Sequence, residues 1–189
     1  VRAFDGDEPV YQFHALFRGF LHREATRALT DGELRLLIER TAALLDHEGL
    51  TDDALNLYAE AEDWASASTL ILREAPALLR QGRWKTVVEW AHRLPSDVLQ
   101  DHAWLLFWTG KALVPIDQAA ARAHLVRPYE LFVPAADRAG QLVAIAGIVW
   151  THYFETFATE RMDRWIDPLE ALLATDADFV SPAIELAAH

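Results

Sequence analysis

Three helix-breaking residues, Gly49, Gly82 and Pro115, punctuate this chain at equal intervals of 33 residues. Aligning them brings Ala54, Val87 and Ala120 into register, and Leu55, Val88 and Ala121 beside them. A unit of about this length holds two short helices and their turns. One such hairpin cannot bury both of its faces. Hairpins stacked on one another can, and small residues let their helices approach closely. Gly49, Ala54, Tyr58 and Ala61 have the small–small–aromatic–small spacing of a second helix in such a unit. Later units degrade: Ala91 takes the place of the aromatic, and Trp165 falls outside the register. An irregular helical bundle is the competing arrangement.

The residues between the breaks read as helices. β-branched residues are sparse, and Ala, Leu, Glu and Arg dominate. Val10 to Phe13 is the one short strand expected, followed by a helix from His14 to Ala28 with Leu16, Phe17, Phe20 and Leu21 on one face. Thr30 with Glu33 makes a capping-box pattern. The helix it opens runs to about His47 on a stripe of Leu34, Ile38, Ala42 and Leu45, and Gly49 stops it. Thr51 is expected to cap a helix from Asp52 to Ala61, and Asp63 to cap the next, with Trp64, Ala67 and Ile71. Pro76 is expected to open a short separate segment. Trp84 to Arg93 follows. Ser96 is expected to cap one helix from Asp97 to Leu113. Asp117 is expected to cap another, with Pro128 a kink before Phe132. Ala136 to Phe157 is expected to be the longest and most apolar helix, and Thr159 starts one more, with Asp167-Pro168 either a kink or a fresh start. The total is about nine helices, with short loops that make neighbours antiparallel.

Composition excludes several classes. Cysteine is absent, which removes disulfide scaffolds, thiolate catalysis and Cys-ligated metals. Seventeen basic against 29 acidic residues give a net charge of −12, which argues against broad binding to a phosphate backbone. No run of 18 apolar residues predicts a membrane span, and no signal peptide is visible. A cytoplasmic location is therefore expected. Beginning at Val1, the chain reads as a piece of something longer.

Three stretches together resemble a known family. Tyr11-Gln12-Phe13-His14-Ala15-Leu16-Phe17-Arg18-Gly19-Phe20-Leu21 is similar to the segment that closes the winged-helix region in large ATP-dependent LuxR-type bacterial transcriptional regulators, of the maltose-regulon-activator kind. Gly49 to Tyr58, with Ala61-Glu62-Asp63-Trp64, resembles the first helix pairs of their arm. Ala75-Pro76-Ala77-Leu78-Leu79-Arg80-Gln81-Gly82 and Trp90-Ala91-His92-Arg93-Leu94-Pro95 continue the pattern. Trp104-Leu105-Leu106-Phe107-Trp108 and Met162-Asp163-Arg164-Trp165-Ile166 look like later repeats. The resemblance spans roughly residues 10 to 173.

It implies an all-α fold: a tetratricopeptide-like right-handed superhelix of antiparallel helix pairs, with a short winged-helix remnant at the N-terminus. Residues 1–29 would end the winged-helix region, 30–175 form the repeat domain, and 176–189 a loose or truncated tail. The implied function is a non-catalytic protein-interaction and effector-sensing arm, between a nucleotide-binding module and an output domain outside this chain. A helical-repeat scaffold for assembly outside transcription is the second reading. Expected partners are a protein, a peptide or a small effector, and the neighbouring domains of the parent regulator. Neither nucleic acid nor membrane is expected to bind this segment, and self-association stays open. Thr109-Gly110-Lys111-Ala112 lacks the first glycine and the hydroxyl residue of a phosphate-binding loop.

No catalytic, cofactor or metal residues are assigned. Glu89 and His92 have the spacing of a di-iron half-site but lack a second copy, since His152 and Glu155 run in the reverse order. Asp52-Asp53 and Glu60-Glu62-Asp63 read as solvated helix starts. Ser66 and Ser68 sit among alanines without a nucleophile elbow. The aromatics carry more information. Trp104, Phe107 and Trp108 lie at helical spacing, as do Trp150, Tyr153, Phe154 and Phe157. Most such stripes are core. Trp104, Trp108, Tyr129, Trp150 and Tyr153 are the candidates for a groove holding a peptide or effector. Arg18, Arg23 and Arg27 are the candidates for docking to a neighbouring domain.

Overall fold

The computed structural model describes residues 2–4, 10–12, 15–152 and 159–174, with side chains from Gly19 onward except His22 and residues 159–162. Two three-residue strands, β1 (Arg2–Phe4) and β2 (Val10–Gln12), pair antiparallel with Ala3 opposite Tyr11. Among the described residues everything else with regular structure is helix: α1 (Ala15–Ala28), α2 (Asp31–His47), α3 (Thr51–Glu60), α4 (Trp64–Arg80), α5 (Trp84–Ala91), α6 (Ser96–Gln100), α7 (Ala103–Leu113), α8 (Gln118–Phe132), α9 (Arg138–His152) and α10 (Thr159–Leu173). The protein is thus all-α in class. Among the described residues no helix is long and apolar enough to cross a membrane. The expected tail, 176–189, lies outside the described residues.

Two compact units divide the chain, Val1–Asp63 and Trp64–His189. The division falls inside the 30–175 span expected for one repeat domain. In the first unit α2 lies along α3, with lighter contact to α1. The capping box opens α2 as expected. Glu33 N–H donates to Thr30 Oγ1 at 3.4 Å, and Thr30 N–H donates to Glu33 Oε2 at 2.9 Å. The Thr30 N–H, and then its hydroxyl, which donates to the same Glu33 oxygen at 2.8 Å, hold the Glu33 carboxyl below its ordinary pKa.

In the second unit, packing follows chain order. α4 packs on α5 and α7, α5 on α7, α7 on α8 and α9, α8 on α9, and α9 on α10. Helix α7 is the centre of this unit. Its sequence is apolar on every side, and residues Leu105 to Gly110 are all buried, with Ala112 beyond them. Thr109 is tolerated there because its hydroxyl donates to the Leu105 carbonyl at 2.7 Å. Glycines bring the neighbouring helices close. A Cβ on Gly110 of α7 would lie 2.8 Å from Leu125 Cγ of α8, and one on Gly147 of α9 would lie 3.1 Å from Leu125 Cδ1. Leu125 is fully buried between these two glycines. On Gly140 a Cβ would overlap the ring of Phe132.

Four helix ends close in the same way. Leu50 N–H reaches the Leu45 carbonyl at 2.8 Å, Asp63 the Tyr58 carbonyl at 2.9 Å, Arg83 the Leu78 carbonyl at 2.9 Å, and Asp137 the Phe132 carbonyl at 3.1 Å. Each is the six-to-one bond of a Schellman turn, which requires positive φ at the residue before the donor. Gly49 and Gly82 supply it at +75° and +73°, while Glu62 and Ala136 adopt 55° and 53°. The third break differs. Asp117 N–H donates to Leu113 O at 2.7 Å, and the Asp117 carboxylate accepts from Ala119 and Ala120, both at 3.0 Å, to start α8 as expected.

Several boundaries differ from the sequence reading. Pro76 does not open a new segment; it sits inside α4. Its ring removes one backbone donor, yet the buried Ala75, Pro76 and Leu78 keep the helix continuous. Pro128 lies inside α8, within the helix expected to reach Phe132, and of the two readings of Pro168 it is the one inside a single helix, α10, that is found. Leu50, not Thr51, is the N-cap of α3, and it makes no side-chain cap bond. The expected helix from Asp97 to Leu113 is two helices. His102 Nδ1 accepts from Leu105 N–H at 3.4 Å and starts α7 afresh, and Pro95, not Ser96, is the N-cap of α6. Ala136 belongs to the turn before α9, and residues 153–158 of the long helix expected there lie outside the described residues.

Candidate functional site

The candidate aromatics fall into separate environments. Trp108, on the central helix, is 5% exposed, and its ring meets Phe107 at 5.0 Å between centroids. Trp104, one turn earlier, stands edge-on to Phe107 at 5.5 Å and to Phe132 of α8 at 5.0 Å. Its indole N–H donates to Asp137 Oδ2 at 3.2 Å. The other oxygen of Asp137 accepts from Gly140 N–H at 2.8 Å and caps α9. One carboxylate therefore fixes both the Trp104 ring and the start of the next helix. Trp104 and Trp108 belong to the packing of this unit, where aromatic edges fill the space between α7 and α8.

Tyr129 lies elsewhere. It is half-buried and edge-on to Trp165 of α10, with centroids 5.2 Å apart. The guanidinium of Arg164 stands over the other ring of this pair, 5.0 Å from the Trp165 centroid. Trp150 alone among the described candidates faces outward, at 56% exposure. Tyr153 lies outside the described residues. The spacing at i, i+3 and i+4 identified the aromatic helices, but it could not say which rings turn inward. That depends on α7 being surrounded on all sides.

Of the candidate docking arginines, Arg23 and Arg27 are exposed on α1. Arg27 pairs with Glu24 at 2.9 Å across a solvent-facing turn. The side chain of Arg18 lies outside those described.

Sequence reasoning missed two features. The first is an open depression of about 310 Å³ in the first unit, with Leu34, Ile38 and Ala61 as its apolar lining and Asp31, Glu60 and Glu62 at its edge. The second is a set of basic groups in partly dry surroundings. Burial holds Lys111 below its ordinary pKa. His124 is held low by burial and then by the neighbouring His92, and its Nδ1 is buried with no hydrogen-bond partner. Burial also lowers His102, whose ring must stay neutral at Nδ1 to cap α7. On α8, Arg122 donates to the Thr151 hydroxyl and carbonyl, both at 3.1 Å, tying α8 to the last turn of α9.

Among the described residues no three His, Asp or Glu side chains converge as a metal site would require. Glu89 and His92 are both exposed. Comparison with protein-family models, with curated proteins and with solved structures gives no match.

Proposed function

We propose that this chain is a non-catalytic, tetratricopeptide-like arm of a bacterial transcriptional regulator, which senses a protein, peptide or small effector for domains beyond it. One observation carries the reading. Gly49 and Gly82, 33 residues apart, end α2 and α4 with the same backbone turn, as equivalent positions of a repeat do. The near-neighbour packing of α4 through α10 agrees with stacked hairpins. Sensing then rests on differential contact: an effector that touches the arm in only one arrangement of the regulator shifts the population toward it. Trp150, 56% exposed, is the candidate aromatic that such contact would use, since Trp104 and Trp108 are committed to packing.

The test uses the parent regulator and a transcriptional reporter. Trp150→Ala should leave the arm's melting temperature within about 2–4 °C, as a surface change does, and should reduce the induced transcription. Unchanged induction across Trp150→Ala and alanine variants of its exposed neighbours would leave a scaffold outside signalling as the better reading.

A further inference from the structure

The open depression of the first unit has an apolar floor and an acidic edge. Leu34 and Ile38 of α2 and Ala61, just past α3, form the floor, and Asp31, Glu60 and Glu62 stand around it, with Thr26 and Arg35 completing the lining. Three carboxylates thus meet one guanidinium, and Arg35 is already turned along α2 to Glu39, its Nε donating to Oε1 at 3.0 Å. Among the described residues neither Asp31 nor Glu62 takes part in an ion pair. The volume of about 310 Å³ lies at the lower end of ligand sites, the scale of one long side chain.

The backbone adds a second observation that calls for a cation. Glu60 and Glu62 occupy the carbonyl end of α3, where the helix dipole favours positive charge, and the last turn of this helix carries no basic residue. Glu62 also holds a left-handed backbone, with φ at 55°, in a turn that Gly49 and Gly82 make without a Cβ. Glycine would suit that conformation better and would bring no charge to the depression. The acids repel one another and the helix end, and a cation between them relieves both.

We infer that this depression is a docking site for an arginine side chain presented by a partner protein. The aliphatic stem covers Leu34, Ile38 and Ala61, and the guanidinium meets the carboxylates of Asp31 and Glu62. Arginine suits the site better than lysine, because its planar fork serves more than one carboxylate and its weak hydration tolerates apolar walls. The site uses no residue of the aromatic set and is independent of the regulatory reading.

Two-dimensional amide NMR on the whole chain tests this with a blocked pentapeptide that carries one arginine among alanines. Shifts should saturate with a Kd of about 1 mM, the affinity suited to a single anchored side chain, and should concentrate at residues 31–38 and 60–62. The citrulline peptide, which keeps the shape and loses the charge, should bind about tenfold more weakly or worse. Glu62→Gly should lower affinity about fivefold or more, while its melting temperature holds or rises because glycine accepts the positive φ. Asp31→Asn should weaken binding from the α2 side, with its fold verified by circular dichroism. Four results would each overturn the inference: no saturable shift up to about 20 mM peptide, equal affinity for the citrulline peptide, unchanged affinity in both variants, or equal shifts at the exposed acids Asp163, Asp167 and Glu170 of α10.

Discussion

Single residues set the spacing of the second unit. Gly110→Ala puts a methyl group 2.8 Å from Leu125 Cγ, and the crowding should cost about 1–3 kcal/mol in urea unfolding. Gly32, in the first turn of α2, has open space where a Cβ would stand, with no neighbouring atom within 4 Å; Gly32→Ala should stabilise by about 0.5–1 kcal/mol. Opposite signs for two Gly→Ala changes would show that helix contact, not propensity, governs position 110. His124 provides a pH handle. Its folded pKa lies below the ordinary 6.5 because burial and His92 disfavour the charged ring. The unfolded chain therefore takes up the proton first, and stability falls as pH drops through about 6.5, until the folded pKa is also passed. Thermal melts at pH 7.5 and pH 5.0 should show a smaller acid loss for His124→Asn than for the wild type, whose carboxylates titrate identically.

Elements were legible where a side chain or a glycine marks their ends. Thr30 with Glu33, Asp117, Gly49 and Gly82 all act where the pattern places them. Thr30→Ala should cost about 1 kcal/mol, measured as a shift in the urea midpoint at unchanged slope. Boundaries made by tertiary context were not legible. Glu62 and Ala136 take a left-handed conformation that neither residue favours, and only the six-to-one bonds to Tyr58 and Phe132 reveal it. His102 splits α6 from α7 with no proline or glycine at the break. Pro76 reads as a helix start but is retained inside α4 by burial. The candidate site was legible as a set of aromatic helices and no further. Trp108→Ala should therefore destabilise by about 3–5 kcal/mol, while Trp150→Ala should fall within about 0.5 kcal/mol, both by denaturant unfolding.

Across the second unit, contacts join helices that are near in the chain, so cooperativity should weaken with distance along it. Leu172→Ala, in α10, should speed amide exchange through α10 and α9 while leaving protection in α4 and α5 unchanged. Equal losses in all four helices would mark one indivisible core in place of a stacked series. The all-α class follows from composition and periodicity, but function did not follow with it, because a repeat records how helices pack and not what they hold. The grip of Gly110 and Gly147 on Leu125 has one more consequence. No one of the three can change alone without penalty, since a larger residue at either glycine demands a smaller one at 125. Natural variants of this chain should therefore exchange the trio together, as a linked character inherited in step, and a Gly110→Ala chain should regain fitness most readily through a second change at Leu125.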